Sequence, residues 1–388
     1  MNEKLYHLAD GYSIRVVSDL ESFYQLRTVW DELLENQKTH MPFLCFDWFR
    51  IWIKHFLKDN ELFILLLYQQ DRVVAIAPLH IKSIFFKKNL KARIVSLLGN
   101  IHSPIKNIIY KDHDIRVMSD CLLKIFRFFF DVYRDWDIME LDSIPEEDHY
   151  FNILKNVANT IGFKRREYFC YNDWVLEKIS YSGCEYLQKR SKNIRKELGK
   201  RKRRLQGKGD LRFENGTNKN KFDDYIRIYN YVREHSWKHP EKDNFFLKEL
   251  RKSAMEKGWL RFAILFFNNL PISCHIRMNY KNSVYFLESV YDLEYSKFSP
   301  TTILRSELMQ YIIDKENAGI IHTIRGDEPY KKDWTPTQKQ RKGMTIFNNN
   351  LKGRSLAFLM LAILPNIEKH PFLLSAKSKV FQWVKNGF

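Results

Sequence analysis

The stretch 284–334, VYFLESVYDLEYSKFSPTTILRSELMQYIIDKENAGIIHTIRGDEPYKKDW, constrains the fold more than any other part of the chain. Residues 284–290 are apolar and β-prone enough for a central strand. Residues 292–299 form a polar loop, and Pro300 then stands at a first helical position, where its missing N–H removes nothing. Ile303, Leu304, Leu308, Tyr311 and Ile312 share one helical face. Gly319 is a stop, and 320–324 is a second apolar strand. The unit reads strand, loop, helix, strand. Ser299 is expected to cap the helix with its hydroxyl. The N–H groups of Thr301 and Thr302 would then point outward with the positive end of the helix dipole, which suits a phosphate.

The rest of the chain supplies the frame. Its 388 residues suffice for two or three domains with real cores. With 29 Phe, 20 Tyr and 9 Trp against 14 Gly and 11 Pro, the composition excludes a disordered chain. Helical and strand patterns alternate throughout, so the class is α/β, of mixed α+β character. Cys45, Cys121, Cys170, Cys184 and Cys274 form no C-x-x-C pair, which argues against a zinc site or a disulfide framework and for a reducing, cytoplasmic setting. No metal constellation stands out. The opening MNEKLYHLAD has no apolar core of a signal peptide, and no run of eighteen apolar residues suggests a membrane span.

Helices are expected over 19–34, 46–57, 116–131 and 150–161, the last stopped by Gly162. Strands are expected at 62–68 and 73–81, joined by a QQDR turn, and at 93–98, 136–141 and 169–176. The second half carries helices over 222–232 and 245–255 and strands over 259–267, 272–280 and 283–291. Each half runs two helices, a hairpin, a further strand, a helix and a strand, although the residues do not repeat. Two copies of one unit packed side by side would leave a cleft between them. The expected domains are 1–180, 181–347 and a helical tail, 348–388. In that tail an apolar run over 355–365 precedes Lys369, Lys377, Lys379 and Lys385, a pattern open to a docking helix or to a basic contact with anionic membrane.

The net charge of +18 points to anionic partners. From 189 to 204 ten Lys or Arg face one acid, Glu197, while Leu187, Ile194, Leu198 and Leu205 fall on one helical face. Ten cations in sixteen residues repel one another, and coenzyme phosphates, RNA or acidic lipid would relieve that. Few aromatics are available there to stack bases.

Four blocks occur in order: KRSKNIRKELGKRKRRL (189–205), LPISC (270–274), VYDLEYSKFSP (290–300) and RGDEPYKKDW (325–334). With Pro42, Phe43, Trp48, Trp52 and AIAPL (75–79), they resemble the CelD/BcsL-type acetyltransferases of the GNAT superfamily. The resemblance spans residues 20–340, and its most specific block is G-x-x-x-Y-K-x-x-W, at Gly326, Tyr330, Lys331 and Trp334. It implies a tandem GNAT-like acyl-CoA N-acyltransferase fold, shared with Fem-type aminoacyl transferases. It also implies acetyl-CoA or another acyl-CoA as co-substrate, with no metal. The strand carrying Val290 and Tyr291 would align the pantetheine arm. The turn Ser299, Pro300, Thr301, Thr302 would receive the diphosphate, with Arg195 adding charge. Thr301 stands where the family commonly has glycine, and His322 where many relatives carry Asp.

Acyl transfer needs a free lone pair on the acceptor, a polarised thioester and a proton for the leaving thiolate. Glu288, mid-strand beside the expected donor slot, is the first candidate base, with Asp292 and Asp327 next. Their other roles would be a solvent-facing strand residue and turn caps. Tyr330 is a candidate acid, alongside Tyr291 and Tyr295. Trp237, His275, Lys331 and Trp334 are candidates to meet the acceptor or to hold the site in shape. The sequence therefore leads to an acyltransferase acting on an amine or hydroxyl of a sugar or envelope-polysaccharide precursor. A Fem-like transferase using aminoacyl-tRNA and a non-catalytic scaffold for polyanion or acidic lipid are the alternatives.

Overall fold

The structure, a computed structural model, describes residues 4–35, 41–87 and 90–363. The chain forms two compact units, 1–171 with 340–388, and 172–339. Among the described residues no helix is long and apolar enough to cross a membrane.

The first unit contains β1 (Lys4–His7), β2 (Tyr12–Val17), α1 (Leu20–Gln25), α2 (Arg27–Glu35), α3 (Phe46–Phe56), β3 (Glu61–Gln69), β4 (Arg72–Lys87), β5 (Leu90–Leu97), β6 (Ile109–Tyr110), α4 (Ile115–Arg127), β7 (Ile138–Pro145), α5 (Tyr150–Ile161) and the start of β8 (Lys164–Glu177). The second contains the rest of β8, then α6 (Gly183–Gln188), α7 (Lys192–Gln206), β9 (Leu211–Gly216), α8 (Phe222–Glu234), α9 (Asn244–Glu256), β10 (Leu260–Phe267), β11 (Leu270–Tyr280), β12 (Ser283–Tyr291), α10 (Pro300–Tyr311), β13 (Ile320–Arg325) and α11 (Pro329–Trp334). The chain then returns to the first unit with β14 (Thr337–Phe347) and α12 (Leu351–Phe358).

In the first unit the strand order is β1-β2-β3-β4-β5-β7-β14. The six residues Leu62–Leu67 of β3 are buried on both faces, which is why they read as an unbroken apolar run. Every pair in this sheet is antiparallel except β5 with β7, which is parallel over Ile94↔Ile138, Val95↔Met139 and Ser96↔Glu140. Helix α4 packs on this sheet through Met118, Cys121, Leu122, Ile125 and Phe126. Asp114 caps it, accepting from the N–H groups of Arg116 and Val117. Gly162 ends α5 at φ +81°, a conformation that glycine takes without steric penalty.

In the second unit the order is β8-β13-β12-β11-β10-β9, and only β12 with β13 is parallel. Asn268 and Asn269 turn the β10–β11 hairpin, both at positive φ, which asparagine tolerates better than most residues. Helix α10 buries Ile303, Leu304, Leu308 and Met309 against Ala263, Leu265, Ile272, Val284, Phe286 and Ile321. On the other face Tyr225 of α8 stacks on Phe262, ring centroids 5.2 Å apart. The crossover strand, helix, parallel strand thus occurs once per unit, as β5-α4-β7 and as β12-α10-β13.

Several expected elements differ. The helix expected over 19–34 is two, because the Leu26 N–H turns back to the Phe23 carbonyl at 3.0 Å and closes α1. The charged helix is also two, since Ser191 starts α7 by accepting from the Ile194 N–H at 3.3 Å. Leu187 therefore lies on α6, yet it, Ile194, Leu198 and Leu205 all reach the same core. Strands β1, β2, β6, β9 and β14 were not expected. The loop over 292–299 contains a 3₁₀ turn, Leu293–Phe298. Of the expected tail, Lys369, Lys377, Lys379 and Lys385 lie outside the described residues.

Candidate active site

Strands β12 and β13 run side by side for three residue pairs and then part. The pairs are Ser283↔Ile320, Val284↔Ile321 and Tyr285↔His322, although β12 continues to Tyr291 and β13 to Arg325. Two local irregularities accompany the parting. The β11–β12 register steps from Arg277↔Phe286 to Ile276↔Glu288, which leaves Leu287 as an extra residue on β12. Such a bulge bends its strand and raises the twist. On β13, Ile324 sits at φ +46°, an unusual state for a β-branched residue, where the register with β8 is irregular. The last joined pair is locked by stacking of Tyr285 on His322, centroids 4.5 Å apart. His322 Nδ1 lies 2.8 Å from Asp173 Oδ2 on β8.

Helix α10 begins beyond the open end of this gap. Its tip differs from the expected one. Ser299 is in the left-handed region, φ +48°, and makes no side-chain cap. Its hydroxyl instead accepts from Arg201 Nη1. The Thr302 and Ile303 N–H groups both donate to the Ser299 carbonyl, at 2.9 and 3.2 Å, so Thr302 offers no free donor. Thr301 Oγ1 is buried without a partner. The tip therefore combines the helix dipole, a threonine hydroxyl and one guanidinium, a donor set that suits a diphosphate. Pro300 is buried as the first helical residue. The cation that reaches the tip is Arg201, while Arg195 is exposed further up α7.

On the α8 face, Glu288 accepts from Lys238 Nζ at 2.7 Å and lies 4.0 Å from Arg233 Nη1. Behind it, Arg251 grips Glu241 with bonds of 2.9 and 2.6 Å, and Tyr229 donates to Glu241 at 2.8 Å. Burial works against the charged form of Glu241, yet its bonds to Arg251 hold the carboxyl below its ordinary range. Glu288 is half-buried beside the gap, and a carboxylate there can take a proton once Lys238 moves off it.

The other candidates are distributed differently. Asp292 is buried and accepts from the Glu294 N–H at 2.9 Å, so it caps the 3₁₀ turn. Asp327 accepts from Asn172 Nδ2 at 2.7 Å and from Trp174 Nε1 at 3.0 Å, which ties the loop after β13 to β8. The Val290 carbonyl accepts from Ser273 Oγ at 2.9 Å, and half-buried Tyr291 ends β12. Trp237 is exposed. His275 is fully buried on β11, 3.4 Å from Ser289 Oγ through Nε2. Burial first, then the charges of Arg305, Lys238 and Arg277, keep its imidazole neutral by pushing its pKa well below the usual range. Lys331 is buried and donates to the Arg325 carbonyl at 2.6 Å, so it holds the end of β13. Trp334 is buried, and its carbonyl accepts from the Tyr186 hydroxyl at 2.6 Å. Tyr330 lies under the Arg305 guanidinium, 4.6 Å from carbon to ring centroid. Arg201, Lys238, Arg233 and Arg305 were not singled out from sequence. Arg201 carried a signal as one of the ten cations of 189–204, and Arg305 as a charge adjoining the apolar stripe of α10.

Comparison with known proteins agrees with this geometry. Residues 192–332 match the family described as the acetyltransferase (GNAT) domain. No curated protein matches the chain. Among solved structures the chain is similar to FemX, with TM-score 0.56 and 11% identity over 86% of this chain and 98% of that one. It is also similar to a conserved protein from Bacteroides thetaiotaomicron VPI-5482, with TM-score 0.48 and 11% identity over 86% and 99%. A tandem GNAT protein from the clavulanic acid biosynthesis pathway gives TM-score 0.43 and 10% identity over 86% and 98%. The fold is mixed α/β, similar to that of FemX. The matched domain supports an acyltransferase of the GNAT type, and such a domain implies acyl-CoA as co-substrate.

Proposed function

We propose that this protein moves an acyl group from acyl-CoA to an amine, or a hydroxyl, of a sugar or envelope-polysaccharide precursor. The observation that carries the donor half is the gap between β12 and β13 with the α10 tip at its open end. The residues there fit the co-substrate: Arg201 and the α10 dipole suit the diphosphate, and the β12 edge beyond Tyr285 offers backbone groups to an extended amide-bearing arm. The acceptor half rests on the resemblance to the CelD/BcsL type. Such an acceptor places the reaction in the cytoplasm, at the inner face of the membrane.

The thioester supplies an activated carbonyl. The chain's own part is positioning and proton movement. Glu288 takes the proton of the acceptor amine, and Lys238 is its counter-ion in the resting state. A backbone N–H on the unpaired edge of β12 holds the developing oxyanion. Tyr330, the phenol beside Arg305, is the group placed to return a proton to the thiolate.

The test is a titration of the full chain with CoA, acetyl-CoA and longer acyl-CoAs, read as melting temperature. A rise that grows with ligand concentration is expected, and a flat response removes the donor assignment. Glu288→Gln should keep that rise and lose turnover. Full turnover in that variant would take Glu288 out of the mechanism.

One observation favours a second reading. Lys192, Arg195, Lys196, Lys200, Arg203 and Arg204 are exposed along α7, a stripe that would suit the backbone of an aminoacyl-tRNA. In that case RNase treatment of the assay would abolish transfer.

A further inference from the structure

The α10 face of the gap holds a group of polar side chains that the transfer chemistry leaves unused. Arg305 is its centre. It lies four residues below Thr301 on the same helical face and is 4% exposed. Its guanidinium carbon is 5.9 Å from the ring centroid of Phe286, the first β12 residue past the last β13 pair. The same carbon is 4.6 Å from the ring of Tyr330, on the helix that follows β13. The group therefore spans from one parting strand to the segment beyond the other, at the apex of the gap.

A buried cation normally has an anion against it. The Tyr330 ring lies against the Arg305 guanidinium, and the Arg305 Nε has no partner. Glu328 acts on it only electrostatically and is itself paired with Lys331 at 3.0 Å. His275, on the other flank of Phe286 at 5.8 Å between rings, is 0% exposed, and its Nδ1 also has no partner. Two unused polar atoms, one of them on a guanidinium, therefore flank Phe286 at the apex.

An acyl thioester whose diphosphate lies at the α10 tip reaches along the gap toward that apex. A saturated hydrocarbon tail there would leave the Arg305 Nε and His275 Nδ1 unsatisfied. A carboxylate would accept two parallel N–H bonds from the guanidinium and complete the charge balance. We propose that Arg305, with His275, forms an acyl-end recognition site for a short dicarboxylic acyl group. This inference rests on the acyl-CoA reading given above.

The experiment compares CoA, butyryl-CoA and succinyl-CoA on the full chain by calorimetry. Butyryl and succinyl differ at the chain end by a methyl against a carboxylate. Succinyl-CoA should bind about tenfold tighter or more, because the site is built to hydrogen-bond the group that butyryl lacks. Arg305→Lys and Arg305→Met should bring the ratio of the two affinities toward one. Equal affinities in the unsubstituted protein, with CoA still bound, would overturn this inference and leave the donor reading standing. So would substitutions that weaken both thioesters and CoA by one common factor, since Arg305 would then serve the coenzyme or the fold. Absence of binding by all three would remove the donor reading, and this inference with it.

Discussion

The Arg201 guanidinium is the one α7 cation bonded to the tip of α10, and replacing it tests the donor site directly. Arg201→Met keeps an unbranched stem and a comparable helix propensity, so α7 should persist. What is lost is a charged donor next to the expected diphosphate. A hydrogen bond to a charged group contributes about 1.5–3 kcal/mol when well formed. Two features reduce that here. The Arg201 side chain is 35% exposed, and its Nε already lies 3.3 Å from Glu197. About 1–2 kcal/mol remains, which weakens CoA binding roughly 5- to 30-fold. Calorimetry at two salt concentrations reads it, and the difference between variant and parent should shrink as salt rises. Arg195→Met is the control. Arg195 is exposed on the same helix and should alter binding by less than about twofold. An unchanged affinity in Arg201→Met would refute the placement of the diphosphate at this tip. Equal losses at 195 and 201 would show that the helix acts through its overall field and not through a contact at Ser299.

Two further predictions concern stability. His80, buried on β4 beside Trp52, is held at a pKa of about 3 by burial first and by the charges of Lys82 and Lys106 second. The unfolded chain takes up that proton near 6.5 and the folded one does not, so the contribution is complete above 6.5 and declines as pH falls toward 3. Between pH 6.5 and 5 that amounts to about 2 kcal/mol. Urea midpoints should therefore fall more steeply over this range in the parent than in His80→Leu, and matching slopes would refute the account. Asp327→Ala should destabilise the second unit by about 1–3 kcal/mol, because it strands the buried Asn172 amide. Its effect on kcat, measured well below the melting transition, should be small, since Asp327 ties the loop after β13 to β8; a loss of kcat as large as that in Glu288→Gln would return it to the chemistry.

What was legible in the chain was whatever a local pattern decides. Pro300 marked the start of α10, Gly162 marked the end of α5, and the apolar runs of β3 and β12 announced themselves. The repeated order of helix and strand led to the tandem fold. Strands of weak apolar pattern were missed: LRFENG of the edge strand β9 and the TQKQRK opening of β14 gain their pairing from neighbours, not from burial. The tip of α10 was misjudged because Ser-Pro-Thr-Thr is equally compatible with a serine cap and with a serine turned to positive φ, and only the arrival of Arg201 from α7 distinguishes them. The same holds for the choice of cation. Ten Lys and Arg between 189 and 204 are equivalent as a string, and packing of Ile194, Leu198 and Leu205 turns Arg201 to the tip of α10 and Lys202 to Glu307 further along it. Glu288 was legible as a position but not as half of an ion pair, because Lys238 comes from fifty residues away.

The return of the chain to its first unit bears on how it is made. Strand β14 pairs with β7 from Arg341↔Pro145 to Phe347↔Ile138, nearly two hundred residues after β7 leaves the ribosome. During synthesis the β7 edge waits, with its backbone groups open, while the whole of 172–339 is produced. The intervening unit has all its strands in hand before the outer one does, so it is the natural first body to consolidate. The outer sheet closes last, and a ribosome halted before residue 340 would release a chain whose β7 edge is still bare.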